Sequence, residues 1–126
     1  MKKRRILIIE DDKNIAESLN SILTAKGYET ILAADGSAGI EDAKKLRPAL
    51  ILLDLMLPRM SGFDVCQVLK SNEETAGIPI MVTTALGKME DVEKAFACGA
   101  SDYIIKPFDL RHLLEKVDKL IAEEKA

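Results

Sequence analysis

Cysteine occurs twice and histidine once in the 126 residues, and no apolar window approaches the length of a membrane span. Cys66 and Cys98 fall in separate helix-like segments without metal or redox spacing, so both read as reduced packing residues. A chain of this length can bury a core without disulfides or a structural metal. Without a membrane-length run it is expected to be soluble and cytoplasmic, with no membrane partner. Positive charge is not in excess either: the formal net charge is -3, which does not favour direct nucleic-acid contact. The basic start, Lys2-Lys3-Arg4-Arg5, precedes an apolar run too short for a signal-peptide core and reads as a solvated lead-in. Internal repeats, low-complexity segments and linkers are also lacking. Residues 1–126 therefore read as one domain, and 48% hydrophobic with 31% charged residues is a globular composition.

What is present is a regular alternation. Five apolar, strand-like runs cover Arg5 to Glu10, Tyr28 to Ala33, Leu50 to Asp54, Ile80 to Thr84 and Tyr103 to Lys106. Between and after them lie helical patterns, Asn14 to Lys26, Ser37 to Leu46, Phe63 to Ser71, Met89 to Cys98 and Asp109 to Glu123. Strands separated by such helices predict an α/β fold, a five-stranded parallel sheet with helices on both faces. Gly27 and Gly99 stand where helix C-caps are expected, and Pro48 follows the second helix. In the last helix Leu110, Leu113, Leu114, Val117, Leu120 and Ile121 form a stripe at helical spacing, with His112 off it and exposed.

Composition also orders the strands. Ile6 to Ile9 and Leu50 to Leu53 are continuous apolar runs, as in strands buried on both faces. Tyr28-Glu29-Thr30-Ile31-Leu32 mixes polar with apolar residues and Tyr103-Ile104-Ile105 is short, so strands two and five read as edges. The predicted order is 2-1-3-4-5, and ligands of such sheets bind beyond the carboxyl ends of the strands where the winding reverses.

Those ends carry Glu10 and Asp11 after strand one, Asp54 after strand three, Thr84 after strand four and Lys106 after strand five. Three clustered carboxylates need protonation or a counter-cation. All candidate ligands are oxygens, which favours a hard divalent ion; few protein ligands and a phosphate partner favour Mg²⁺ over Ca²⁺. A phosphoryl group on Asp54 would then be reached by Lys106 and the Thr84 hydroxyl, an electrostatic cradle with an aspartate nucleophile.

The ordered segments LIIEDD, LLDLMLPRMSG, MVTTA, GASDY and IIKPF make the chain resemble, over essentially its whole length, a response-regulator receiver domain of two-component signalling, of the chemotaxis-regulator, flavodoxin-like type. The resemblance implies that Glu10 and Asp11 are the acidic pair, with Asp11 binding Mg²⁺ directly and Asp12 not a direct ligand. It implies Asp54 as the phosphoacceptor, the Met56 backbone carbonyl as a metal ligand, Thr84 as the switch hydroxyl, Tyr103 as the switch aromatic and Lys106 as the phosphate-binding lysine. The Lys106-Pro107 bond is expected to be cis. The implied partners are a histidine kinase or histidine phosphotransfer protein and a downstream output protein or domain; 126 residues leave no room for an output domain. The domain would catalyse only its own phosphorylation and dephosphorylation.

Each residue also has an ordinary structural reading: Lys106 as a loop cation, Thr84 as a β-branched strand residue, Tyr103 as an edge aromatic, Pro58 and Gly62 as turn punctuation. Three other functions compete. An aspartyl phosphatase usually has a second acid two residues after the nucleophile, where this chain has Met56. A nucleotide- or flavin-binding module needs a glycine- or hydroxyl-rich turn after strand one, where Glu10-Asp11-Asp12 would repel phosphate. A receiver-like interaction module that is never phosphorylated would not require every site residue to be present.

Overall fold

The computed structural model describes residues 3–125, so Lys2 of the basic lead-in lies outside the described residues. Five strands, β1 (Arg5–Ile9), β2 (Glu29–Ala33), β3 (Leu50–Asp54), β4 (Ile80–Thr84) and β5 (Asp102–Ile105), alternate with five helices. The helices are α1 (Lys13–Ala25), α2 (Gly36–Leu46), α3 (Gly62–Ser71), α4 (Met89–Ala97) and α5 (Leu110–Lys125). All pairings are parallel and the sheet order is β2-β1-β3-β4-β5, with β2 and β5 at the edges as their composition predicts. Among the described residues no helix is long and apolar enough to cross a membrane.

The two-residue period of a strand sends alternate side chains to opposite faces, and both faces here are apolar. Leu7, Ile9, Ile51, Leu53, Ile80 and Val82 pack on one side against Ala43 of α2, Val65, Cys66 and Leu69 of α3 and Ala95 of α4. Ile6, Ile8, Leu50, Leu52 and Met81 pack on the other against Leu19 and Leu23 of α1 and Leu113, Val117, Leu120 and Ile121 of α5. Each such side chain fully removed from water contributes about 1.5–3 kcal/mol. The central strands, buried on both sides, are therefore the rigid base of whatever stands at their ends.

Helix boundaries have local causes. Asp12 caps α1, its Oδ1 accepting the N–H groups of Asn14 (2.9 Å) and Ile15 (3.2 Å). Asp35 caps α2 through Ala38 N–H at 2.8 Å, and Ser61 caps α3 through Asp64 N–H at 3.2 Å. Gly27, at φ 96°, takes the left-handed position after α1 that a side chain would resist. The N-cap of α4, Lys88, makes no side-chain cap bond, and the helix buries only Ala95, so α4 is the least anchored of the layers.

Element boundaries shift by one or two residues from expectation, and three differences bear on the site or its supports. β2 starts at Glu29, with Tyr28 outside it, held instead by a hydrogen bond from its hydroxyl to Asp118 of α5. β5 runs one residue earlier than Tyr103 to Lys106, leaving Lys106 just past the strand. Leu110 is 39% exposed, because the first turn of α5 stands clear of the core; Leu113 onward follows the predicted stripe, and His112 is exposed as expected. At the amino ends of the strands, Lys3, Arg4, Arg5 and Arg47 line an open groove of about 570 Å³.

Candidate functional site

The carboxyl ends of β1 and β3 lie side by side at the winding reversal, so Glu10 and Asp54 emerge as neighbours. Each is only 4% exposed, whereas Asp11 is exposed. One carboxylate oxygen from each of Glu10, Asp11 and Asp54 lies within 4.8 Å of the other two. Two buried charges at that distance repel by about 3.5 kcal/mol at an effective dielectric near 20. The donor set is all hard oxygen, and one of its members opens to solvent. These residues fit Mg²⁺, which keeps waters and takes few protein ligands.

Lys106 reaches the same cluster. Its Nζ is 2.7 Å from Glu10 Oε1 and 3.4 Å from Asp54 Oδ2. Its own N–H donates to the Thr84 carbonyl at 2.7 Å, which ties its position to the end of β4. The peptide bond to Pro107 is cis, as expected. Burial pushes the Glu10 carboxyl above its ordinary range, and the Asp54 charge adds to this, outweighing the Lys106 ammonium and the Asp12 N–H that favour ionisation. Burial alone would lower Lys106. The Glu10 hydrogen bond and the Asp54 and Glu10 charges overcome it and carry the net shift upward. One cation among three acids is held firmly protonated, while the acids remain short of positive charge.

The adjacent acids Glu10, Asp11 and Asp12 thus diverge. Asp12 turns away to cap α1 and gives its backbone N–H to Glu10 Oε2 at 3.2 Å. Asp54 Oδ1 accepts the Met56 N–H at 3.1 Å, and the Met56 side chain is 57% exposed beside it. Thr84 is buried, its Oγ1 accepting the Leu86 N–H at 2.9 Å. Tyr103 is half-buried on β5, and its ring meets Phe96 of α4 edge-on, with centroids 5.7 Å apart. Lys116 of α5 lies 5.8 Å from the Tyr103 centroid and bonds both oxygens of Asp102 at 2.9 Å.

Gly62 carries more than turn punctuation. A Cβ there would lie 2.3 Å from the Asp54 carbonyl oxygen and 2.4 Å from Leu55 Cα, both backbone atoms. The Gly62 N–H also donates to the Leu55 carbonyl at 2.9 Å. The start of α3 is thereby pressed against the backbone that presents Asp54, a close approach only glycine permits. A lone glycine between two elements gives no sign of this in sequence.

A doubly wound sheet with an acid cluster and a lysine at its reversal point defines a class of protein, and comparison with known proteins identifies it. Residues 6–118 match the family model for the response regulator receiver domain, and the chain belongs to that family. It is 46% identical over 117 residues to the DNA-binding dual master transcriptional regulator RpaA of Synechocystis, covering 93% of this chain and 48% of the relative. It is 42% identical over 115 residues to the DNA-binding response regulator MtrA of Mycolicibacterium smegmatis, covering 91% and 49%. The chain thus spans about half the length of these relatives. Among solved structures, a CheY-like response regulator receiver domain protein from Methanospirillum hungatei superposes with a TM-score of 0.92 at 31% identity, covering 98% of both chains. The receiver domain of sensor histidine kinase PA1611 from Pseudomonas aeruginosa, solved with magnesium coordinated in its active-site cleft, gives 0.89 at 28% identity, covering 96% and 99%. The chain is a response regulator receiver of two-component signalling.

Proposed function

We propose that this receiver is a phosphorylation-controlled switch acting in the cytoplasm, with Asp54 as the only phosphoacceptor. The observation that carries the reading is a buried carboxylate with the Lys106 ammonium at 3.4 Å and the Glu10 and Asp11 oxygens within 4.8 Å. An Asp54 oxygen attacks the phosphorus of a phosphohistidine on a histidine kinase or phosphotransfer protein. The N–P bond breaks, the imidazole leaves with the electron pair, and an acyl phosphate forms. Glu10, Asp11, Asp54 and the Met56 carbonyl would hold Mg²⁺, which when bound supplies positive charge against the phosphoryl oxygens. Lys106 pairs with one phosphoryl oxygen and the Thr84 hydroxyl donates to another.

The same movement carries the signal. As the Thr84 hydroxyl turns toward the phosphoryl group it vacates space, Tyr103 shifts inward, and the loosely anchored α4, with β5 and α5, changes its surface. Output then passes to a separate protein or domain, without direct nucleic-acid contact by these residues. Incubation with Mg²⁺ and a small acyl phosphate should add one phosphate to the intact mass, and Asp54→Ala should abolish it. An undiminished increment in that variant overturns the assignment.

A further inference from the structure

Cys66 and Cys98 play no part in this switch, yet the fold brings them together. Cys66 is buried in the middle of α3, and its thiol donates to the Cys98 carbonyl at 3.3 Å. Cys98 is the half-buried C-cap of α4 and packs against the same core cluster as Cys66. It is followed by Gly99 at φ 106°, and α4 buries only Ala95 among its side chains. Burial, with the nearby Cys98 thiol adding to it, pushes the Cys66 thiol up to about 11. The two thiols are therefore unequal: one belongs to a half-buried residue and the other is shielded and protonated.

We infer that Cys66 and Cys98 are a site of reversible thiol oxidation, forming an intramolecular disulfide between α3 and the end of α4. The oxidant class is a hydroperoxide. The Cys98 thiol gives up its proton and its thiolate attacks a peroxide oxygen; the O–O bond breaks, the departing hydroxide or alkoxide takes up that proton as water or an alcohol, and Cys98 becomes a sulfenic acid. Cys66 then gives up its proton and attacks the Cys98 sulfur as the thiolate; the S–O bond breaks, the S–S bond forms, and the departing hydroxide takes up the Cys66 proton as water. The two electrons lost by the thiols reduce the peroxide. Bond formation requires the sulfurs to close to about 2.05 Å. Cys66 Sγ already contacts the Cys98 carbonyl oxygen, which brings the two residues side by side. The cross-link would fix α4 two residues beyond Phe96, the ring that meets Tyr103. It needs no phosphoryl group and is independent of the switch reading.

The test treats the reduced full chain with hydrogen peroxide and maps it by non-reducing peptide mass spectrometry. The expected product is a monomer with Cys66 and Cys98 peptides joined, both thiols lost together, and both restored by dithiothreitol. Cys98→Ser should leave Cys66 reduced, and Cys66→Ala should leave Cys98 as a trappable sulfenic acid. The inference is overturned if the parent gives Cys98 sulfinic acid with Cys66 reduced, if Cys98 links two chains, or if both thiols survive. The parent map decides this even if Cys66→Ala folds poorly.

Discussion

Gly62→Ala separates the structural reading from propensity by sign. Position 62 opens α3, and by propensity alone alanine there gains about 0.4–1 kcal/mol by restricting the unfolded chain. The added Cβ, however, would sit 2.3 and 2.4 Å from backbone atoms of Asp54 and Leu55, roughly an ångström inside normal contact. Neither atom belongs to a side chain that can rotate away, so β3 or the start of α3 must move. Overpacking of this kind costs about 1–3 kcal/mol or more. With two such contacts on a buried strand the upper part of that range applies, and the net loss is about 2 kcal/mol. With a urea dependence of about 1–3 kcal/mol per molar, the midpoint should fall by roughly 1 M. Phosphate incorporation at Asp54 should fall as well, because its own backbone is displaced. Gly77→Ala is the control: nothing lies within 4 Å of the new Cβ, and its midpoint should hold or rise. A Gly62→Ala protein as stable as the parent, phosphorylating at the parent rate, would refute the close-approach argument.

Asp12→Ala should lower stability by about 1 kcal/mol through the lost α1 cap while leaving Mg²⁺ affinity nearly intact, whereas Asp11→Asn should weaken Mg²⁺ binding far more. Equal losses in a metal titration would place the acidic pair one residue out. Burial, with the Asp118 hydrogen bond and charge adding to it, pushes the Tyr28 phenol up to about 12. The folded value exceeds the unfolded one, so the stability it contributes is whole below pH about 10 and is lost as pH rises through about 12. In a Tyr103→Phe background the phenolate absorbance should show that late midpoint, and a midpoint near 10 would contradict the Tyr28–Asp118 contact. Met56 and Leu86 are apolar and follow Asp54 and Thr84 by two residues, so, on the proposed function, neither orients an attacking water and the phospho-form should hydrolyse slowly. Met56→Asn with Leu86→Glu should hasten phosphate decay, by less than the roughly 100-fold typical of a full general base; decay at the parent rate would remove these side chains from the water path.

Sheet order and both edges were legible because a strand buried on two faces must be apolar throughout, and Ile6 to Ile9 and Leu50 to Leu53 are. The gathering of Glu10, Asp11, Asp54 and Lys106 was legible for a topological reason: parallel strands deliver all their ends to one side. Strand five was misjudged by a residue because Lys106 is one atom set too late for the ladder, though its N–H still bonds the Thr84 carbonyl. Asp12 was set apart from the acidic pair by the resemblance, but its role as the α1 cap was not read from the sequence. Gly62 and the Cys66–Cys98 meeting were not legible, since both depend on how α3 leans on β3 and α4, and side-chain spacing within one segment carries no record of that.

The parallel sheet has one more consequence. With every strand pointing the same way, Glu10, Asp11 and Asp54, with Lys106 among them, collect at one end, and Lys3, Arg4, Arg5 and Arg47, with Glu29 among them, at the other. Five residues at about 3.3 Å each separate the two groups by about 16 Å. The protein is thus electrically polar along the strand axis, even though its net charge of -3 is small. In the field of a charged surface it turns before it touches, and a cationic docking face meets the carboxylate pole first. Salt shortens the range of that torque to about 8 Å at physiological ionic strength, so encounter rates at the site should fall with added salt while the bound geometry stays the same.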